Sequence, residues 1–330
     1  MAPPRCRGTI PPSPRPRRED PDARARRHRP PRRRRRRRAS VMSRPVLAAA
    51  HGDEAHDVVA LATVLARIED APVLIAGIHV TTGDVQDYAA ERETRARERE
   101  ELDRLSADVP GDVAYDMVLH PAAGVPAGLE ELAQQTGALA VVVGASHLGR
   151  FARGVRGDVG LGLLRDAPCP LLVAPRGYAA QTHGMPERIA VGWDETAEAE
   201  AAVAVAADLA HRVHGCVRLV HALAPPPVAS ELPYPDDPAF RAARIARAQE
   251  RLDVVAAALS ERVAVETEVV QDLATQALTQ AGGRADLLVV GSRARGPVRR
   301  LLLGSVAEGL VHRAPCPLLV VPRGAAVPVA

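Results

Sequence analysis

The residues best placed to do chemistry lie between positions 286 and 324, where small residues follow a short apolar run. Leu287–Val290 is that run, and it is typical of a strand buried on both faces of a parallel sheet. The pattern is then interrupted by Gly291, Ser292, Gly296, Gly304 and Ser305, and a segment with helical spacing follows. A glycine loop that leads into a helix offers backbone N–H groups to phosphate oxygens. An alternative stays open, in which the glycines only make a turn and Ser305 caps the helix.

The same segment occurs a second time in the chain. Residues 142–177 align on residues 289–324 without a gap, and both copies end with the letters APCPLLV-x-PRG. More than half of the aligned positions are identical. The period is too long for a solenoid repeat, so the chain contains two copies of one larger unit.

Both copies alternate strands with helices. In the first copy we predict strands at 46–50, 72–80, 113–119, 139–143 and 171–174, with helices at 54–68, 84–105 and 125–135 and a further helix after the glycine loop. In the second copy we predict strands at 189–191, 217–222, 263–270 and 287–290, with helices at 197–214, 240–259 and 273–280, before the repeated segment closes the unit. This order predicts an α/β fold with two open, parallel five-stranded sheets that carry helices on both faces.

Composition and spacing divide the chain into five parts. We predict an Arg/Pro-rich extension at 1–41, a first unit at 42–177, a linker at 178–186, a second unit at 187–324 and a short tail at 325–330. The extension holds sixteen arginines against three acidic residues, a balance of +13, so the remaining chain carries −10 of the net +3. It has too little apolar content to bury a core, and we expect it to be disordered. Three interpretations stay open: a start assigned too far upstream of Met42, a passive tail, or a nucleic-acid arm.

Three features make the two copies resemble the universal stress protein family. They are a first strand that ends near an Asp (IAVGWDET, with Asp194), the glycine loop, and the APCPLLVV end. The family's ATP-binding pattern, G-2x-G-9x-G-S/T, falls on Gly291, Ala294, Gly304 and Ser305, so that Ala294 replaces one glycine. The resemblance covers about residues 42–324. It implies tandem domains of the adenine-nucleotide alpha-hydrolase-like, Rossmann-like type, packed as an internal pseudo-dimer.

The resemblance also implies a site in the second unit, at the carboxyl ends of its strands. Asp194 would meet the adenine, and the ligand would be ATP, with or without Mg²⁺. Ribose and phosphates would lie along the loop and the following helix start. The complete set of implied binding residues is Asp194, Ala222, Gly291, Ser292, Arg293, Ala294, Gly296, Gly304, Ser305 and Val306.

The first unit departs from the family pattern. His51 aligns with Asp194, and its loop has Gly144, His147, Gly157 and Asp158, so that a carboxylate stands where Ser305 stands in the second unit. A carboxylate next to a triphosphate is repulsive. We therefore expect no ATP in the first unit. His51, His147 and Asp158 could form a small polar or metal site, or they could be exposed loop residues.

Several classes of function are excluded or disfavoured by composition. The chain has no lysine, which excludes a lysine Schiff base and a Walker-type P-loop. Aromatic residues are 2% of the chain, so stacking platforms for nucleic acid are nearly absent. The cysteines between prolines, Cys169 and Cys316, are interpreted as buried thiols. No apolar run approaches a membrane span and no secretory signal is found, so we expect a cytoplasmic protein.

No nucleophile–base pair or carboxylate dyad stands out, and we predict a stress-response regulator without dedicated catalysis. Its expected partners are ATP and an unknown regulatory protein, with a homodimer as a further alternative and neither membrane nor nucleic acid expected. One alternative is a stress protein that does not bind nucleotide and acts through protein partners. Another is a slow ATPase or a nucleotidyl-transferring enzyme, of which the AHGDEAH segment near His51 is a faint sign.

Overall fold

A computed structural model gives the structure of the protein. The residues it describes are 44–81, 88–145, 168–181, 184–224, 238–292, 305–311 and 313–322. The predicted extension at 1–41 and tail at 325–330 lie outside these residues, as does the predicted helix between the first glycine loop and residue 168.

Each unit alternates strands with helices, as the sequence predicts. The first contains β1 (Val46–Ala49), α1 (Ala55–Ile68), β2 (Val73–Val80), α2 (Tyr88–Leu105), β3 (Tyr115–Ala122), α3 (Val125–Thr136), β4 (Ala140–Gly144) and β5 (Leu171–Ala174). The second contains β6 (Arg188–Gly192), α4 (Ala197–Arg212), β7 (Cys216–Ala222), α5 (Pro238–Leu259), β8 (Ala264–Val270), α6 (Ala274–Gly282), β9 (Leu287–Gly291), α7 (Ser305–Val311) and β10 (Leu318–Val321).

The ten strands form one sheet in the order β3-β2-β1-β4-β5-β10-β9-β6-β7-β8. All pairs within a unit are parallel. The units meet through β5 and β10, which pair antiparallel with Leu318 opposite Val173 and Val320 opposite Leu171. The predicted α/β fold with two open, parallel five-stranded sheets is therefore confirmed, and the two sheets are continuous.

The central strands form because their side chains are apolar on both faces, whereas the edge strands β3 and β8 carry polar residues and are mostly half-buried. β1, β4, β5 and β10 are buried along their whole length. One hydrophobic cluster lies on the face covered by α1 and α4, and a second lies on the face covered by α3, α6 and α7. Helices on both faces of a parallel sheet are the arrangement that such strands require. Cys169 and Cys316 are buried as predicted, and burial raises the pKa of their thiols to about 11 and about 12.

Element boundaries differ from the predicted ones by a few residues. The third strand of the first unit begins at Tyr115 rather than 113 and continues to Ala122, because it pairs with β2 as far as Val80. The long helix of the second unit begins at Pro238, two residues before the predicted start, since proline is tolerated in the first turn of a helix. Among the described residues, no helix is long and apolar enough to cross a membrane.

Part of the predicted linker is anchored to the first unit. Tyr178–Ala180 forms a short 3-10 helix, and Tyr178 is buried. Buried Asp57, in the first turn of α1, accepts hydrogen bonds from the backbone N–H groups of Gly177 (2.9 Å) and Ala179 (2.7 Å). The start of the segment between the units is therefore held by α1, which the sequence pattern did not indicate.

Replacing Asp57 by alanine should lower the free energy of unfolding by about 1–3 kcal/mol, because it removes the acceptor of two backbone donors in a partly buried place. Urea unfolding of the full chain measures the change. Asp53→Ala is the matched control, since Asp53 is exposed and lies four residues away. Equal unfolding free energies for the two variants would contradict the anchoring role of Asp57.

Candidate functional site

The candidate site lies at the carboxyl ends of β6, β7 and β9. β6 has β7 on one side and β9 on the other. The chain leaves β6 into α4, which covers one face of the sheet, and α7 packs on the opposite face. Such a reversal of strand order opens a crevice beyond the strand ends, where ligands of open α/β sheets bind.

Asp194 is half-buried in the turn that joins β6 to α4. Its Oδ1 accepts a hydrogen bond of 2.6 Å from the hydroxyl of Thr196. The same hydroxyl oxygen accepts a bond of 3.2 Å from Ala199 N–H, so that Thr196 is the N-cap of α4. Asp194 thus lies at the predicted edge and also orients the residue that begins the helix.

Trp193 and His221 form the buried floor beside Asp194. The Nδ1–H of His221 donates to the Trp193 carbonyl oxygen at 2.9 Å, and the two ring centroids are 5.8 Å apart. Because a carbonyl can only accept, this bond assigns the proton to Nδ1. His221 is 8% exposed, and its visible contacts are structural. The indole Nε1 of Trp193 is buried and has no hydrogen-bond partner.

Gly291 and Ser292 end β9 directly opposite the first turn of α4. A Cβ on Gly291 would lie 2.5 Å from the Glu198 carbonyl oxygen, so the helix approaches the strand too closely for any side chain. Ser292 donates its N–H to Val321 O at 2.9 Å and is 3% exposed. Its hydroxyl is buried without a hydrogen-bond partner. Gly291 therefore has a packing role, whereas the Ser292 hydroxyl has no structural role that the contacts show.

The remaining predicted site residues fall into two groups. Ala222 is the half-buried last residue of β7, and Ser305 and Val306 begin α7. The structure thus brings Asp194, Ala222 and Ser292 to the ends of neighbouring strands. The other predicted positions lie outside the described residues: Arg293, Ala294, Gly296 and Gly304.

In the first unit, a buried carboxylate occupies the corresponding edge. Glu54 is 6% exposed, and a Cβ on Gly144 would lie 2.8 Å from the Glu54 Cβ. Arg176 Nε donates to Glu54 Oε1 at 2.8 Å. Glu54 is not predicted as a site residue from the sequence, although the alignment of His51 with Asp194 places Glu54 opposite Ala197. The two units therefore differ at this edge, because the first has a buried carboxylate there. This carboxylate disfavours the binding of an anion in the first unit.

The small polar or metal site suggested for the first unit lies only partly within the described residues. His51 is exposed at the end of β1, and His147 and Asp158 lie outside the described residues. Where the structure describes the chain, no group of three or more His, Cys, Asp or Glu side chains could hold a metal ion.

His79 near the end of β2 has different contacts from His221. It is 4% exposed, its Nδ1 lies 2.8 Å from Glu98 Oε2, and its Nε2 lies 3.5 Å from Glu91 Oε1. Both carboxylates belong to α2, whose buried residues are Leu102 and Leu105 near its end. His79 therefore attaches the middle of α2 to the sheet.

A sizeable cavity lies away from the candidate site. A cavity of about 750 Å³ lies at the opposite edge of the second unit, where β6 and β9 begin, and it is lined by α1 residues such as Leu61 and Leu65. The ion pair of Arg188 with Asp286 (2.7 Å) stands at its wall. The candidate site thus depends on the chemistry of its residues and on the sheet topology, not on the size of a cavity.

Comparison with known proteins gives a consistent family. The model of the "Universal stress protein family" matches residues 42–175 and 185–322. A universal stress protein from Mycobacterium tuberculosis is 35% identical over 203 residues, which is 61% of this chain and 66% of the relative. A second one from the same organism is 37% identical over 183 residues, 54% of this chain and 60% of the relative. These alignments thus span just under two thirds of the relatives' length.

Solved structures agree on the fold. The crystal structure of a universal stress protein from Archaeoglobus fulgidus superimposes with a TM-score of 0.62 at 16% identity, covering 86% of this chain and 98% of that one. A putative universal stress protein from Pseudomonas aeruginosa gives a TM-score of 0.54 at the same identity, covering 86% and 94%.

Gly291→Ala should lower the free energy of unfolding by about 1–3 kcal/mol, because the new Cβ forces α4 away from β9. Gly283→Ala is the matched control. Its Cβ would lie 3.4 Å from the nearest atom, the Gln280 carbonyl oxygen, and its backbone is right-handed helical. Urea unfolding compares the two variants. An unchanged stability for Gly291→Ala would show that the close approach of Glu198 does not constrain this position.

Proposed function

Because the chain belongs to the universal stress protein family, we propose that it is a stress-response regulatory protein whose second unit binds ATP. The proposed domains are residues 42–177 and 187–324, with the linker between them. The bound nucleotide, with or without Mg²⁺, would act by shifting the population of conformations that a regulatory partner recognises. Dedicated catalysis is not part of the proposal.

The observation that carries this proposal is the buried, unpartnered hydroxyl of Ser292. Buried polar side chains nearly always have a hydrogen-bond partner, and an exception calls for an explanation. A ribose hydroxyl or a phosphate oxygen would supply the partner that the protein does not. Ser292 stands at the carboxyl end of β9, next to the strand that presents Asp194, where the topology opens the crevice.

The nucleotide is proposed for the second unit alone. In the first, the Glu54 carboxylate is buried against Gly144, and Asp158 takes the place of Ser305 in the sequence. Arg176 pairs with Glu54, so the charge that would repel a triphosphate in the first unit is the carboxylate of Asp158. The first unit would therefore serve as a pairing partner through β5.

Two observations favour a second candidate, a stress protein that acts through protein partners without a nucleotide. Gly291 is explained by the packing of α4, so this glycine needs no ligand. Ala294 also replaces a glycine of the family's loop pattern. The two candidates differ in whether ATP binds to the isolated protein.

Calorimetric titration of ATP into the full chain should give one site per chain. Ser292→Ala should weaken ATP binding by about two- to tenfold, since one hydrogen bond is lost. It should leave the unfolding free energy unchanged or raise it, because the buried hydroxyl has no partner in the protein. A weaker affinity without a loss of stability distinguishes a ligand contact from a structural one.

Ser260→Ala is the control, since Ser260 is exposed and donates only to Ala256 in its own helix turn. It should leave the affinity for ATP unchanged. If millimolar ATP gives neither a heat of binding in the titration nor a change in Trp193 fluorescence, the nucleotide proposal is wrong. The candidate that acts through protein partners is then favoured.

A further inference from the structure

The first half of α5 carries an excess of positive charge. From Pro238 to Gln249 it contains Arg241, Arg244 and Arg247 and no acidic residue. Arg251 follows one turn later. Asp236 and Asp237 directly precede this segment in the sequence and Glu250 directly follows it, so the excess of positive charge is local to the first half of α5.

Two of these arginines lie on the side of α5 that packs on the sheet. Ala248 and Leu252 are completely buried and mark that side. Arg244 precedes Ala248 by one turn and Arg251 is adjacent to Leu252, and both are half-buried. Arg247, in contrast, is exposed. A half-buried guanidinium normally has an anion or several acceptors around it, because desolvating it without partners is costly.

The donors of these arginines are incompletely paired. Arg251 Nη2 lies 3.0 Å from Glu195 Oε1, but its Nε is buried without a partner. Within the described part of the chain, Arg244 has neither an ion pair nor a hydrogen bond. Each guanidinium presents five N–H donors, so most donors of the pair have no acceptor among the described residues of the protein.

The position of α5 places these donors beside the candidate site. Gln249 Nε2 donates to Thr267 Oγ1 in the middle of β8 at 2.7 Å. α5 runs antiparallel to β8, so the turns before Gln249 lie towards the carboxyl ends of the strands. Glu195, the partner of Arg251, directly follows Asp194 and adopts a left-handed φ of 64°. Such a backbone is uncommon for a residue with a side chain.

The first unit places opposite charges at the corresponding location. There, α2 meets the end of β2 through Glu91 and Glu98, which lie on the two sides of His79. These carboxylates have a cationic or hydrogen-bonding partner within the protein. In the second unit the helix presents arginines, and in the described part of the chain Glu195 is the acidic residue paired with Arg251.

We propose that Arg244 and Arg251 form a subsite for a phosphate group on the α5 side of the Asp194 turn. The proposal deepens the proposed function and rests on it only for the source of the phosphate. Guanidinium and phosphate match in geometry and charge, and their hydrogen bonds are among the strong ones. The phosphate can belong to a nucleotide bound with its phosphates towards α5, which is not the orientation that the family resemblance implies, or be a separate inorganic anion.

Titrations of the full chain with pyrophosphate and with ATP test the subsite, with Trp193 fluorescence as the signal. Trp193 is the only tryptophan and lies two residues from Glu195, so anions on the arginine-rich extension do not dominate the signal. Arg244→Gln and Arg251→Gln should each weaken pyrophosphate binding by about tenfold or more. Arg247→Gln removes the same charge from the exposed side of the helix and should have little effect.

Two comparisons identify the source of the phosphate. If it belongs to the nucleotide, ATP competes with pyrophosphate and loses affinity in Arg251→Gln, while adenosine binding stays the same. If it is a separate anion, ATP affinity is unchanged in Arg251→Gln and pyrophosphate still binds in the presence of ATP. Both results support the subsite. Arg251→Lys keeps the charge without the Nε donor and should show an intermediate loss, which a misfolded variant would not.

Equal pyrophosphate affinities for Arg244→Gln, Arg251→Gln and Arg247→Gln would overturn the subsite. Absence of any pyrophosphate binding would overturn it as well. This failure can be told apart from a failure of the proposed function. If pyrophosphate binding depends on the arginines and ATP does not bind, the subsite is supported and the nucleotide proposal is wrong. If pyrophosphate binding does not depend on Arg244 or Arg251 and ATP binding depends on Ser292, the nucleotide proposal is supported and the subsite is wrong.

Discussion

The antiparallel pairing of β5 with β10 determines how the rest of the molecule is arranged. These strands are buried on both faces, and their backbone groups have no alternative partners in a dry core, so each unit must cover the exposed edge of the other. Because the pairing is antiparallel, the carboxyl ends of the first unit's strands face one edge of the sheet and those of the second face the opposite edge. The two crevices are thus kept apart, and each is free to diverge without a steric effect on the other.

The divergence is one of charge on a shared backbone. In the first unit, Glu54 is buried over Gly144 and neutralised by Arg176, while His79 is enclosed by two glutamates. The second unit has Ala197 opposite Glu54 in the alignment. His221, which ends the second strand of its unit as His79 does, donates to a backbone carbonyl oxygen instead. Among the described residues, buried side-chain atoms without a hydrogen-bond partner are His79 Nε2 in the first unit and Trp193 Nε1, Arg251 Nε and Ser292 Oγ in the second. The second edge therefore retains more unpaired polar groups than the first.

The sequence predicts the central strands well because burial on both faces demands continuous apolar runs, which are easily found. The repeat also predicts the equivalence of the two units. Contacts between residues distant in the chain could not be predicted in this way. The burial of Glu54 depends on Arg176, far along the chain, and the need for glycine at 291 depends on how closely α4 approaches β9. Gly291 illustrates this limit most clearly. The binding motif and the close packing of α4 on β9 both require glycine at this position, so the sequence alone does not distinguish the two roles.

Three consecutive residues connect the candidate site to the rest of the second unit. Asp194 bonds to Thr196, Thr196 caps α4, and Glu195 between them pairs with Arg251 of α5. The left-handed backbone of Glu195 stores a small amount of strain, of the order of 1 kcal/mol, which the surrounding contacts must offset. A ligand that draws the Asp194 carboxylate or the Arg251 guanidinium to itself would weaken one of these contacts and change the balance at the start of α4 and along α5. Those helices, rather than the rigid sheet, are therefore the elements through which occupancy of the site would become visible to a partner.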